Sequence, residues 1–550
     1  MSVINDVKYS FKNRLDNLSR FQTIIRVLVK HGFSGIMAEL GLYQRTSSDS
    51  STTASVAARL RMAFEELGPT FIKLRQLLST RPDLLSEEYI EEFSKLTDSV
   101  PAFSFNEVEA ILEEEFGTKL DELFELIEDE PLAAASIAQV HRAVWRETNT
   151  AVVIKVQRPN ITRVIQNDIQ VLYRLASALE RIEDLRLLNP TGIVKEFQRS
   201  INEELDFTLE AKNLDYFGKK VESDDRIRVP EVIWPATTKR VLTMTEMKGI
   251  PLSQIKEFPP DVDRRRLAEA LVSFFFESIF QHGIFHADAH AGNVLLLPED
   301  GGRLAILDFG LVGHLQPDLK KKLSRIFLAL VARDFQGLSQ AYVEIGDFGR
   351  RFSVREFQRD IASFLGPQLG KPLKDIHLGQ VMLDSTRIAR KYQVRVPQDL
   401  VLFYRSIMTL ESLGRKLDPD FEFVAYGQMF AKTLMRRRFS YDEIWRDVVK
   451  TFEGFRTLGT ELPVQMQTLV QRLDQGDLFL GGKQADELKQ TFERSLRLHA
   501  FGYLSSGFLI SAVLMNAYRP DDRWGLALWG GAILSVFALL ITALKKSKSE

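Results

Sequence analysis

Residues 282–313 read HGIFHADAHAGNVLLLPEDGGRLAILDFGLVG, and this stretch constrains the fold more than any other. Two short apolar runs, Val294–Leu297 and Leu304–Leu307, flank Pro-Glu-Asp-Gly-Gly, the pattern of a β-hairpin closed by a polar turn. Each outer end of the hairpin leads into a polar loop. The first holds Asp288 and, five residues on, Asn293; the second holds Asp308-Phe309-Gly310. One carboxylate is thereby placed to orient a nucleophile. The Asn and the second Asp are placed to hold the cations that neutralise phosphate charge.

That order and spacing is the catalytic core of kinase-like phosphoryl transferases. Two other readings stay open. The alternation His286-x-Asp288-x-His290 suits a transition-metal site, because period 2 puts three ligands on one strand face. A degenerate kinase fold that only binds nucleotide would also carry much of the pattern.

With 550 residues the chain is too long for one core, so two or three units are expected. A net charge of −2 argues against general nucleic-acid binding, which needs a concentrated basic surface. The absence of cysteine excludes disulfides, thiolate metal sites and cysteine nucleophiles.

The first residues are no secretory signal, because Arg26 and Lys30 interrupt the apolar stretch, and Asp6 and Asp16 are foreign to a transit peptide. Apolar residues at helical spacing (Phe11, Leu15, Leu18, Phe21, Ile25, Leu28) predict a surface helix over 9–42, with membrane contact as the alternative. A polar linker, 46–55, follows. A helix then begins near Pro69 and must break before Pro82, aligning Lys73 and Gln76 on one face. A Glu-rich helical segment covers 106–128.

Residues 131–157 read as strands. Ala133, Ala134, Ala135 and Ser136 stand where a glycine-rich phosphate loop would be; small side chains let the backbone approach a nucleotide, although Ala restricts φ where Gly does not. The strand Ala151–Val156 ends on Lys155, placed to meet the α/β-phosphates. Such a lysine needs a carboxylate partner, and the run 202–210 offers Glu203, Asp206 and Glu210 on one helical face. Residues 226–246 read as two further strands, Glu246-Met247-Lys248-Gly249 as a hinge between lobes, and 263–282 as an amphipathic helix. From 316 to 495 the periodicity is helical, with an Arg-rich stretch at 435–446 read as a solvated face.

The end of the chain changes character. Neither Phe501–Tyr518 nor Trp524–Leu544 carries a charge, and as helices they would span roughly 27 and 31 Å, near the hydrocarbon thickness. Arg519-Pro520-Asp521-Asp522-Arg523 forms the turn, with Tyr518, Trp524 and Trp529 toward it. Arg494 and Arg497 before the hairpin, and Lys545, Lys546 and Lys548 after it, predict both ends on the cytoplasmic side. A buried core hairpin is the competing reading.

Together these motifs resemble the UbiB family of atypical kinase-like proteins, linked to ubiquinone and other isoprenoid-quinone lipid metabolism; the resemblance covers roughly residues 60–430. The family's K-x-G-Q motif corresponds to Lys73-Leu74-Arg75-Gln76, its Ala-rich loop to Ala133–Ser136, and its E-x-D motif to Glu204 and Asp206. Glu210 corresponds to the helix glutamate that pairs with Lys155, and His286–Asn293 to H-x-D-x-H-P-G-N. Arg75 stands where the family has Gly, and Ala291 where it has Pro.

The resemblance implies an α+β, two-lobed, atypical protein-kinase-like fold with a helical N-terminal extension and a C-terminal transmembrane hairpin. The expected organisation is an N-terminal region over 1–60, the K-x-G-Q extension over 61–130, an N-lobe over 131–250 and a C-lobe over 251–430. A helical extension over 431–500 and two transmembrane helices over 501–544 complete it. Implied cofactors are ATP and Mg²⁺. Asp288 orients the nucleophile, Lys155 with Glu210 and the Ala-rich loop hold the nucleotide, and Asn293 and Asp308 hold the metal. Lys73, Gln76, Glu204 and Asp206 cover the cleft, so a lipid or other small acceptor is favoured over a protein. The expected setting is a multi-pass protein of the bacterial inner membrane with its catalytic domain in the cytoplasm. Expected partners are an isoprenoid or quinone-type lipid and enzymes of lipid biosynthesis, with no nucleic acid. A nucleotide-sensing scaffold without catalysis, and a protein kinase, are the rival functions.

Overall fold

Strand β4 (Thr150–Gln157) shows how the local sequence sets the architecture. Its period-2 alternation sends Val152, Ile154 and Val156 to one face, where they pack with Val108, Ile111 and Leu112 of the helix Phe105–Phe116. Lys155 consequently points to the opposite face. β4 is central in a five-stranded antiparallel sheet with β1 (Phe124–Ile127), β2 (Ala133–Ala134), β3 (Ala138–Trp145) and β6 (Val241–Thr245), ordered β1-β3-β4-β6 with β2 on the side of β3. The segment read as helical over 106–128 is helix to Phe116, continues through a 3-10 turn at Gly117–Lys119 and one α-helical turn at Leu120–Leu123, and becomes β1 only at Phe124.

The second sheet is built on the hairpin of β9 (Val294–Leu297) and β10 (Arg303–Ile306), whose register pairs Ile306 with Val294 and Arg303 with Leu297. The turn between them uses Gly301 and Gly302 at positive φ. β5 (Ile227–Arg228) joins in parallel beside β10, and β7 (Ile250–Pro251) joins beside β9. Residues 246–249 cross from one sheet to the other, and Gly249 lies so close to β9 that a Cβ there would come within 2.6 Å of the Leu296 carbonyl. A two-stranded ladder, β8 (Ile284–His286) with β11 (Val312–His314), closes off the loops at the hairpin's outer ends.

The helices used below are α1 (Val56–Leu67), α2 (Pro69–Ser79), α3 (Ile161–Leu179), α4 (Pro190–Glu204), α5 (Phe207–Val221), α6 (Arg264–Phe276) and α7 (Gln398–Leu417). Between β11 and α7 the chain is helical, through Pro317–Ala332, Phe335–Ile345, Val354–Leu369 and Leu378–Lys391. One contiguous core runs from Ile24 and Phe64 through Phe197, Phe217 and Phe276 to Phe403 and Leu410. Each fully buried Phe or Leu in it contributes about 2 kcal/mol.

The helical segment starting at residue 19 is not a surface helix. Ile24, Ile25, Val27 and Met37 belong to the main core, and Arg20 reaches Asp168 of α3 with contacts of 2.6 and 3.0 Å. An amphipathic stripe has the same period whether it lies on a surface or docks on the molecule's own helices.

The computed structural model describes residues 19–430 apart from short stretches, the longest being 43–53, 346–352 and 370–376, together with 507, 530–531, 533–534 and 536. The chain divides into two units, Met1–Arg436 and Arg437–Glu550. The start of the chain through residue 18, most of the linker, the extension expected over 431–500 and the Arg-rich stretch at 435–446 lie outside the described residues.

The expectation of a multi-pass membrane protein is corrected: among the described residues, no helix is long and apolar enough to cross a membrane. The segment 501–544, on which that expectation rested, lies outside the described residues except at the isolated positions above. Among the described helices, the 20-residue α7 is long enough to span but carries Asp399, Arg405, Glu411, Arg415 and Lys416. It buries its apolar face in the core instead.

Candidate active site

Lys155 projects from β4 toward Glu210, one turn inside α5, and its Nζ donates to both carboxylate oxygens at 3.0 and 2.8 Å. The Phe207 ring lies 5.1 Å from the same Nζ. Burial works against the ammonium charge, but the Glu210 and then the Asp308 carboxylates outweigh it and hold the Lys155 pKa above the ordinary lysine value. Glu210 is pushed up, first by burial, with Asp308 adding a like charge against the pull of Lys155. Asp308 is half-buried, and although desolvation pushes it up, Lys155 and the Gly310 amide, which donates to its Oδ1 at 2.8 Å, keep it below the usual carboxylate range. A half-buried lysine between two carboxylates, one of them held ionised, offers a fixed positive charge beside oxygen donors.

The loop with Asp288 is shaped by its own backbone. His286 Nδ1 accepts from the Asp288 amide at 3.1 Å, and His290 Nδ1 accepts from the Gly292 amide at 3.0 Å. Both imidazoles therefore brace turns. His286 is fully buried, its ring centroid 4.9 Å from that of Phe309, and burial lowers its pKa to about 4. Among the described residues no cluster of His, Asp and Glu is placed to hold a metal by itself, so the His-x-Asp-x-His transition-metal reading has no support. Asn293 Nδ2 donates to the Asp288 carbonyl at 3.3 Å, which leaves its Oδ1 available as a ligand. Asp288 is pushed up by burial, with Arg405, His290 and Lys73 pulling it down and Asp308 adding to the rise.

The cleft-covering residues separate in the structure. α4 ends at Glu204, and Asp206 begins α5 as its cap, accepting from the Thr208 amide at 3.1 Å and the Thr208 hydroxyl at 2.6 Å. The single acidic helix face expected over 202–210 is thus broken at Leu205. Glu203 turns to Arg199 at 3.2 Å, and Glu204 forms an ion pair with Lys73. Lys73 is also felt electrostatically by Asp288 and Asp308, which sets the start of α2 beside the site. Gln76 lies half-buried, three residues along the same face. Arg75, in place of the family glycine, points the other way and is almost fully buried, so it does not displace Lys73.

Ala133 and Ala134 form β2 opposite Val140 and Gln139, and Ala135 closes the turn, its amide donating to the Ala138 carbonyl at 2.8 Å. Arg158 Nε clamps the Ala135 carbonyl at 3.0 Å. Ser136 is buried, so the face this loop offers is made by the alanines.

Sequence reasoning missed four contributors. Asn213 on α5 donates to the Phe309 carbonyl at 3.0 Å, Phe217 stacks on Phe309 with centroids 4.6 Å apart, and Arg405 and Ser406 of α7 reach the Asp288 loop. Asn213 and Phe217 had a readable signal, since they lie three and seven residues after Glu210 on the same helix. A cavity of about 500 Å³ between the C-terminal end of α5 and α6, lined by Lys220, Asp224, Arg226, Arg266 and His282, lies apart from this chemistry.

Residues 95–342 match the model of the ABC1 atypical kinase-like domain, and residues 361–422 match that of the UbiB helical domain. A "Probable protein kinase UbiB" of Pseudomonas putida (strain GB-1) is 35% identical over 467 residues, covering 84% of this chain and 85% of that protein. The protein of the same name in Marinobacter nauticus is 33% identical over 486 residues, covering 87% and 88%. A solved structure titled "The complex structure of Rv3197-erythromycin from Mycobacterium tuberculosis" is 26% identical and covers 64% of this chain and 90% of that chain. Its TM-score is 0.45.

Proposed function

This chain belongs to the UbiB family of atypical kinase-like proteins, and on that premise we propose that it binds Mg·ATP and transfers or hydrolyses the terminal phosphoryl group in support of isoprenoid-quinone lipid metabolism. The observation that carries this reading is the cluster of Lys155, Glu210 and Asp308: the ammonium donates to both Glu210 oxygens at 3.0 and 2.8 Å, and its charge helps hold Asp308 ionised.

The residues fit the cofactors. Asp308 and Asn293 offer hard oxygen donors of the kind Mg²⁺ takes, and Lys155 stays cationic for the α/β-phosphates. Magnesium supplies neutralisation of phosphate charge when bound. Asp288 orients the acceptor hydroxyl or water, accepting its proton as the new bond forms. Glu210 keeps Lys155 extended toward the nucleotide, and the alanines of the β2–β3 turn leave the backbone open to phosphate. α2, pinned beside the site by Lys73 and Glu204, favours a small acceptor such as an isoprenoid or quinone-type lipid over a protein chain. Association with enzymes of lipid biosynthesis follows as the natural setting for such an acceptor.

Calorimetric titration of the full chain tests the reading. Mg·ATP binds the wild type, and Asp308→Asn abolishes the magnesium-dependent part, because the ion loses an anionic ligand amid phosphate charge. Equal Mg·ATP affinity in both proteins would refute the site.

A further inference from the structure

The loop that carries Asp288 contains no lysine or arginine from His286 to Asn293, so a fixed cation facing that carboxylate must come from another part of the chain. α7 brings one. Ser406 Oγ is buried and donates to the His286 carbonyl at 2.9 Å, at the point where β8 gives way to the loop. Phe403, one residue before Tyr404 on the same helix, packs edge-on against Phe285 with ring centroids 6.1 Å apart. Contacts on both sides of position 405 therefore fix α7 to the backbone entering the catalytic loop. The half-buried Arg405 between them sits within electrostatic reach of Asp288. The charged groups facing Asp288 are Arg405 from α7, His290 of its own loop, Asp308 from the far end of the hairpin, and Lys73 from α2. Lys73 stands on α2 and pairs with Glu204, whereas Arg405 is carried by the helix that Ser406 bonds to the backbone entering the loop.

We propose that Arg405 is a positioning residue for Asp288, so that the helical region matched at 361–422 completes the active site instead of merely supporting it. It supplies the countercharge that the loop lacks, and the Ser406 bond fixes where that charge stands. The proposal rests on the reading of Asp288 as the carboxylate that orients the nucleophile, and two readouts keep the failures apart.

The first readout is a thermal melting cycle on the full chain with Arg405→Gln, Arg405→Lys, Asp288→Asn and the Gln/Asn double variant. A direct attraction makes Arg405→Gln lower the melting temperature in the wild type by at least twice the shift it causes in the Asp288→Asn background, with lysine restoring most of the loss. Equal shifts in the two backgrounds overturn the proposal, because a purely structural arginine does not sense the charge at 288. The second readout is ATP turnover. Arg405→Gln reduces kcat by about 10-fold or more while KM for Mg·ATP stays within about threefold, and Arg405→Lys recovers part of kcat. A loss confined to KM, or a kcat loss that lysine does not relieve, also overturns it. If the wild type neither binds nor hydrolyses Mg·ATP, the functional reading falls, while the melting cycle still decides whether Arg405 positions Asp288.

Discussion

Lys155 is the residue on which the buried charges balance. Replacing it with Met leaves the buried Glu210 carboxylate beside Asp308 without its paired ammonium, and breaking such a pair costs about 3 kcal/mol. The deficit depends on pH in a defined direction. A carboxyl whose folded pKa lies above its unfolded value, as at Glu210, binds more protons when folded. It contributes stability below the unfolded value of about 4.3 and loses it as pH rises through the folded value. Lys155→Met raises the Glu210 pKa further, so denaturant melts without magnesium should show its deficit smallest near pH 4.5 and largest at pH 7. A deficit that does not change with pH would contradict the charge arrangement. Lys155 and Glu210 were legible because a lysine ending an apolar strand asks for a carboxylate and the acidic run supplied one. Arg405 was not: one arginine in an amphipathic helix more than a hundred residues after Asp288 carries no local mark.

At the scale of elements, the sequence located helices and strands better than it located their ends and faces. The hairpin of β9 and β10 formed where the apolar runs placed it, with β10 shifted by one residue so that it starts at Arg303 and leaves Leu307 just beyond it. The break between α4 and α5 was missed, although Asp206 followed by Thr208 is a helix-start signal. The helical segment from residue 19 was misjudged as surface because periodicity reports an apolar stripe and not its partner. Its docking is testable. Asp168 is fully buried and Arg20 satisfies it through two nitrogens, so Arg20→Met leaves that carboxylate without its cation. Loss of a charged hydrogen-bonded partner costs about 2 kcal/mol. Equilibrium denaturation should show that loss, and an unchanged midpoint would mean the segment contributes little to the core.

Over the whole molecule, two sheets joined at residues 246–249 hold Lys155 on one side and Asp288, Asn293 and Asp308 on the other, with α2, α5 and α7 converging on the same charges. The kinase-like plan was legible because its chemistry is concentrated in short segments whose residue types are dictated by phosphate and cations. The membrane assignment was not upheld: length and hydropathy mark a segment as able to span, and no described helix has both. The central claim is that this is a catalyst and not a nucleotide-gated scaffold, and Asp288→Asn tests it most directly. Mg·ATP affinity and phosphate release, with quinone-type lipid present, are measured for the wild type and the variant. Affinity should remain near the wild-type value, because the carboxylate faces the nucleophile, while turnover falls by about 10²-fold. A variant that binds Mg·ATP and releases phosphate at the wild-type rate would contradict the account.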